Sequence, residues 1–155
     1  EGCEPQERLV QTPKESQQME VPVLLPCDPC PADDLGCRLS LQPIYFDFDK
    51  DNIRPDAEIE LAKILSALNE YPQLIIHIES HTDSRGKRAY NKYLSDKRAK
   101  STREYLISRG ISPDRIESAI GYGEERLLNE CDGTVRCSSA KHQLNRRSEF
   151  IIVKM

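Results

Sequence analysis

The sequence predicts an α+β domain in which two helices pack on one mixed sheet, preceded by an extended segment rich in proline and cysteine. Three observations predict it. Two long stretches carry apolar residues at helical spacing. Short runs rich in aromatic and β-branched residues alternate with them. Seven of the ten prolines and four of the six cysteines lie at or before Pro43, so the chain changes character near residue 41.

Residues 1–41 hold eight acids and three bases. Pro22, Pro26, Pro29 and Pro31 interrupt the stretch after Val21. Proline lacks a backbone donor and fixes φ, so this part cannot be a central strand or a long helix. It reads as an extended linker, residues 1–41, constrained by disulfides among Cys3, Cys27, Cys30 and Cys37. Four cysteines allow three full pairings, and the sequence does not choose among them.

Residues 42–155 form the domain. Ile44, Tyr45, Phe46 and Phe48 predict a first short strand. Pro55 suits the first turn of a helix, and Ala57, Leu61, Ile64, Leu65 and Leu68 make one apolar stripe along it. Pro72 ends that helix. Residues 74–78 predict a second strand. A second helix runs from about Asn91 to Arg109 and stops at Gly110. Ser112, Pro113 and Asp114 start a short turn. Residues 116–122 alternate loosely and predict a third strand. Residues 123–143 read as a long polar loop, and residues 150–153 as a closing strand. The order is β-α-β-α-β-β, and two amphipathic helices need an apolar surface to cover.

Composition excludes several function classes. The net charge is −4, Trp is absent and aromatics make up 6% of the chain. That is not the basic, stacking surface of a nucleic-acid binder. No run approaches the roughly 20 apolar residues needed to cross a bilayer as a helix, so this chain is not expected to insert into the membrane directly. The chain opens on Glu1 rather than Met, which predicts a processed product or a piece of something longer. Six cysteines in a small charged chain predict an oxidising compartment. Cys131 and Cys137 share one loop and are expected to pair with each other.

Four arrangements of residues in the sequence suggest a chemistry. Acids at Asp47, Asp49, Asp51 and Glu58 nearly match a calcium-binding loop, but Asn52 stands where that loop needs Gly and a strand precedes it where a helix should. Asp56 and Glu58 suit a helix N-terminus instead. Cys27 and Cys30 form a C-x-x-C between prolines, out of context for redox work, and zinc would need four ordered ligands. Ser80, His81 and Asp83 are neighbours that point in different directions and cannot relay a proton; His81 is expected to make structural hydrogen bonds in its loop. No cofactor is implied.

The fourth arrangement is the stretch His81 to Ala99. Asp83 stands in a glycine-containing loop after a strand. Asn91, Leu94, Ser95 and Arg98 recur at i, i+3, i+4 and i+7 and share one helix face, while Ala99, Thr102 and Leu106 on the neighbouring face can pack on the sheet. Arg98 can grip a carboxylate with two hydrogen bonds and Asp83 can accept from an ammonium. The pair therefore suits a ligand with an amine and a carboxylate on one carbon. An internal Asp83–Arg98 ion pair in a structural or adhesive module is the alternative.

The motifs His81-Thr82-Asp83-x-x-Gly86, Tyr90-Asn91, Leu94-Ser95-x-x-Arg98-Ala99, Tyr105-Leu106 and Gly110-Ile111 closely resemble the OmpA-like peptidoglycan-binding domain, the family of OmpA, Pal and MotB. Tyr45-Phe46-Asp47 with Asn52-Ile53, the stretch Gly121-Tyr122-Gly123-Glu124, and Asn145-Arg146-Arg147 match as well. The likeness covers roughly residues 42–155. It implies a non-enzymatic, periplasmic domain that binds the meso-diaminopimelate of peptidoglycan stem peptides and tethers an outer-membrane protein to the cell wall, with an outer-membrane part upstream. The family's acid and arginine map onto Asp83 and Arg98. Thr82, Asn91, Leu94, Asp49 and Arg146 map onto further pocket positions. Ser80 stands where the family usually has Gly. The Cys131/Cys137 loop is long and resembles a variant in multidomain outer-membrane proteins of Bacteroidota.

Overall fold

The computed structural model describes residues 41–154, together with Gln6–Arg8, Val23–Leu25 and Leu39. The chain divides into two units, Glu1–Ser40 and Leu41–Met155. In the first, β1 (Gln6–Arg8) and β2 (Val23–Leu25) pair antiparallel, Gln6 opposite Leu25. A short strand pair thus stands where the sequence predicted an extended linker; proline excludes a central strand, not a two-stranded ribbon. Cys3, Cys27, Cys30 and Cys37 lie outside the described residues.

The second unit is a four-stranded mixed sheet in the order β3-β6-β4-β5. Its elements are β3 (Ile44–Tyr45), α1 (Pro55–Glu70), β4 (Ile75–Ser80), α2 (Arg88–Ser108), β5 (Ile116–Gly121), α3 (Ser139–Gln143) and β6 (Arg147–Lys154). A 3-10 turn, Pro113–Arg115, precedes β5. β4 is central, parallel to β5 and antiparallel to β6.

The helices follow their patterns. α1 starts at Pro55 and buries Ala57, Leu61, Ile64, Ala67 and Leu68; Leu65 lies at the margin. Arg115 holds its C-terminal end, donating to the carbonyls of Leu68, Tyr71 and Leu74 at 2.7–2.8 Å. α2 buries both faces assigned to it, from Asn91 and Leu94 to Thr102 and Leu106. Gly110 at φ +100° ends it, with the amides of Gly110 and Ile111 donating back to Ile107 and Leu106.

Several elements differ from the sequence reading; the second strand, for one, runs Ile75–Ser80 rather than 74–78, and α2 starts at Arg88. The first strand keeps only two ladder residues because Phe46 leaves the sheet, its carbonyl taken by Arg146 and Gln143. The last strand begins three residues early, at Arg147, because Arg147, Ser148 and Glu149 are polar and carry no apolar strand pattern. A third, five-residue helix, α3, lies in the polar loop, with the Ser138 hydroxyl accepting from the Lys141 amide at its start. So short a helix gives no periodicity to read. Cys131 and Cys137 are disulfide-bonded in the same loop, as expected.

β5 and α2 meet with almost no room. A Cβ on Gly121 would fall 2.2 Å from the Asp96 amide nitrogen and 2.3 Å from the Ser95 carbonyl carbon. The Gly121 amide instead donates to Asp96, and the Gly123 amide to the Ser95 hydroxyl. This contact sets the helix over the C-terminal end of β4, where the Asp83 loop begins.

Candidate functional site

A cavity of about 170 Å³ opens at that end of the sheet. All seven residues singled out from the sequence line it: Asp49, Thr82, Asp83, Asn91, Leu94, Arg98 and Arg146. The β4–α2 loop supplies Thr82 and Asp83, α2 supplies Asn91, Leu94 and Arg98, and the turn before β6 supplies Arg146. Phe48, Arg85, Gly86 and Tyr90 complete the wall.

Asp83 is 3% exposed. One carboxylate oxygen, Oδ1, accepts the Arg85 amide at 3.0 Å, a turn closed by its own side chain. The other, Oδ2, accepts Arg85 Nη2 at 2.8 Å and Arg146 Nη1 at 3.1 Å. Burial alone raises this carboxyl, but the hydrogen bonds from Arg85 and Arg146 outweigh it and hold Asp83 below the usual carboxylate range. The Asn91 side chain donates to the carbonyls of Asp83 and Arg85 and pins the loop to the helix.

Arg98 is fully buried, and its partners are not carboxylates. Nε donates to the Lys50 carbonyl at 2.8 Å, Nη1 to His81 and Nη2 to Asp47, both at 3.1 Å. A guanidinium carries five N–H donors, so one remains on each of Nη1 and Nη2. Burial pushes Arg98 down to about 10, Arg146 adds to the fall, and Asp83, Asp51 and Asp49 oppose it. The Asp83–Arg98 ion pair considered from the sequence is therefore absent: the carboxylate belongs to Arg85 and Arg146. Arg98 was read from its helix-face spacing and from the family motif as the group that grips a carboxylate, and neither could show that the β3–α1 loop would supply carbonyls to it.

Arg146 is locked from three sides. Nε donates to the Phe46 carbonyl, Nη1 to Asp83 and Nη2 to Gln143. Arg85 is held more loosely. Its side chain is 39% exposed and stacks 4.3 Å from the centre of the exposed Phe48 ring. Arg85 is a residue that the sequence reading missed; its place two residues after Asp83, in a side-chain-closed turn, is the signal that would have found it.

Asp49 lies on the rim in the left-handed backbone region, φ +59°, and accepts from the Tyr90 hydroxyl. Asp47 pairs with Arg54, and Asp51 accepts from Ser101. The acids of the candidate calcium loop thus turn to separate partners. Ser80 bonds Ser148 rather than His81. The His81 backbone is tied to Arg147 and Arg98, but neither ring nitrogen has a hydrogen-bond partner among the described residues, contrary to the expected structural role of the side chain. The Thr82 hydroxyl is likewise buried at the pocket without a partner among the described residues.

An acceptor, a guanidinium with two remaining donors, an idle hydroxyl and the apolar wall of Leu94 converge on one small cavity. Known proteins resemble this chain in sequence and fold. The model of the OmpA family matches residues 45–140. The peptidoglycan-associated lipoprotein of Brucella melitensis is 46% identical over 109 residues, 70% of this chain and 61% of that protein. Outer membrane porin F of Pseudomonas fluorescens is 34% identical over 106 residues, 68% of this chain and 31% of the porin. The chain thus spans about three fifths or less of the length of these curated relatives. The crystal structure of the peptidoglycan-associated lipoprotein from Burkholderia pseudomallei superposes with a TM-score of 0.67 at 28% identity, covering 78% of this chain and 98% of that one. The C-terminal domain of Helicobacter pylori MotB shares the fold, TM-score 0.62 at 21% identity.

Proposed function

This chain belongs to the OmpA family, and from that premise we propose that it is a non-enzymatic peptidoglycan-binding domain that reads the meso-diaminopimelate of the stem peptide. In this reading it works in the periplasm and ties an outer-membrane-associated protein to the cell wall. The names of its relatives support the cell-wall part.

The observation that carries the ligand is Arg98. A guanidinium with no exposed surface and no carboxylate within 4 Å among the described residues is a buried charge without an ion-pair partner. Such a charge is costly unless an anion meets it. A ligand carboxylate on the two remaining N–H groups would supply that anion. Diaminopimelate ends in a carbon that carries a carboxylate and an ammonium side by side.

The ammonium has a place beside it. Arg85 is the exposed, displaceable cation on Asp83, whereas Arg146 is fixed by three groups. The ligand ammonium would replace Arg85 on Oδ2 and leave the Arg146 pair intact. Arg146 thereby holds the Asp83 carboxylate in position, and Thr82 offers its unpartnered hydroxyl to the same ligand.

Co-sedimentation of the chain with purified sacculi, together with a crystal soaked in diaminopimelate, tests the reading. Sedimentation with the wall and a ligand carboxylate seated on Arg98 are expected. A chain that stays in the supernatant would sink it.

A further inference from the structure

The face of the sheet turned away from the helices carries a cluster that the pocket does not use. Ser80 and Thr102 both bond the Ser148 hydroxyl beneath α2, so strand alternation turns Glu79 and Glu149 to the opposite face. The two glutamates are register partners on β4 and β6. Like charges directly opposite each other destabilise a sheet. Arg126 takes one oxygen of Glu79 at 2.9 Å, and Arg147 takes one of Glu149 at 2.6 Å. The other Glu149 oxygen lies 3.9 Å from His81 Nε2. The other Glu79 oxygen has a 3.2 Å contact from His77 Nε2.

His81 closes this cluster. It is 1% exposed, it stacks on Tyr122 at 5.8 Å, and both its ring nitrogens are idle among the described residues. An unsatisfied buried polar group in a native fold calls for an explanation, an ion among the candidates. A neutral imidazole with a free ring nitrogen is the form that ligates metals.

We propose that Glu79, His81 and Glu149 form a binding site for a divalent transition-metal ion of the zinc class. One ligand atom from each lies within 4.8 Å of the others. Zinc holds imidazole nitrogen and carboxylate oxygen at about 2.0–2.2 Å, so the three side chains close in by small rotations. The imidazole selects zinc-like ions over calcium or magnesium. Arg126 and Arg147 keep the outer carboxylate oxygens, and the half-buried Glu149 leaves a way in from solvent. A bound ion would join β4 to β6 two residues before Asp83.

Zinc chloride titrated into the 155-residue chain with its disulfides intact tests this, read by calorimetry and by histidine ring signals in NMR. The expected result is one equivalent that shifts the His81 ring and leaves His142 unchanged. Glu149→Gln should weaken that uptake at least tenfold, and His81→Gln should as well. Glu149→Gln is the decisive variant, since its side chain is part-exposed and its loss leaves the β4–α2 loop intact. An unshifted His81 ring, including the case in which cysteines of residues 1–40 take the zinc, overturns the proposal. So does a Glu149→Gln variant that binds zinc like the parent.

Discussion

Asp83 and Arg146 form the buried ion pair on the pocket floor, Nη1 to Oδ2 at 3.1 Å, in the place that sequence spacing offered to Arg98. The consequence is that Arg98 stays charged, buried and open toward the cavity. The following expectations rest on that division of labour.

Asp83→Asn should keep the fold, because an amide oxygen still accepts from the Arg85 backbone. Sacculus binding should fall at least tenfold, since a hydrogen bond to a charged group contributes about 1.5–3 kcal/mol. Co-sedimentation at matched protein concentration checks this. Parent-like binding would remove Asp83 from the site.

Arg98→Ala should lose both binding and stability. Truncation leaves the carbonyls of Lys50, His81 and Asp47 without their donor, a cost on the order of 3 kcal/mol. Urea midpoints measured beside sacculus binding separate the two losses. An unchanged midpoint would mean that the three carbonyl contacts do not hold the β3–α1 loop.

Ligand choice should be sharp. Lysine at the same stem position has the ammonium but lacks the carboxylate, so Arg98 stays desolvated and unpaired. Lysine-type and amidated muropeptides should bind much more weakly than the diaminopimelate form. Calorimetry with matched muropeptides decides it; equal affinities would show that this pocket does not read the residue.

Gly121→Ala should destabilise the domain by about 1–3 kcal/mol or more, since the new methyl meets backbone on α2 at 2.2 Å rather than a flexible side chain. Thermal unfolding measures it. A parent-like melting temperature would show that β5 and α2 can part without cost.

Replacing Cys131 and Cys137 by Ser should cost roughly 2 kcal/mol, the chain-entropy value for so short a loop. Peptide mapping without reductant should recover the two cysteines linked to each other. Either one found as a free thiol would overturn the pairing.

Much of this protein was legible in the sequence because its signals are local. Helical spacing from Ala57 to Leu68 and from Asn91 to Leu106 named the buried faces, and Gly110 marked the end of α2. The i, i+3, i+4, i+7 spacing put Asn91, Leu94 and Arg98 on one face, and the motifs brought Asp49, Thr82, Asp83 and Arg146 to the same pocket. The sequence alone therefore named the long helices, the main strands and seven of the residues that line the pocket, but not α3 or Arg85. The partners of the pocket residues were decided only by the tertiary structure. Arg146 lies 63 residues from Asp83, and two of the three carbonyls that hold Arg98 come from a loop 48 and 51 residues away. A hydrogen bond depends on distance and direction in space, and spacing along a helix fixes neither across elements. The same reason hid Glu79 opposite Glu149: that pair exists only once β4 and β6 take their register.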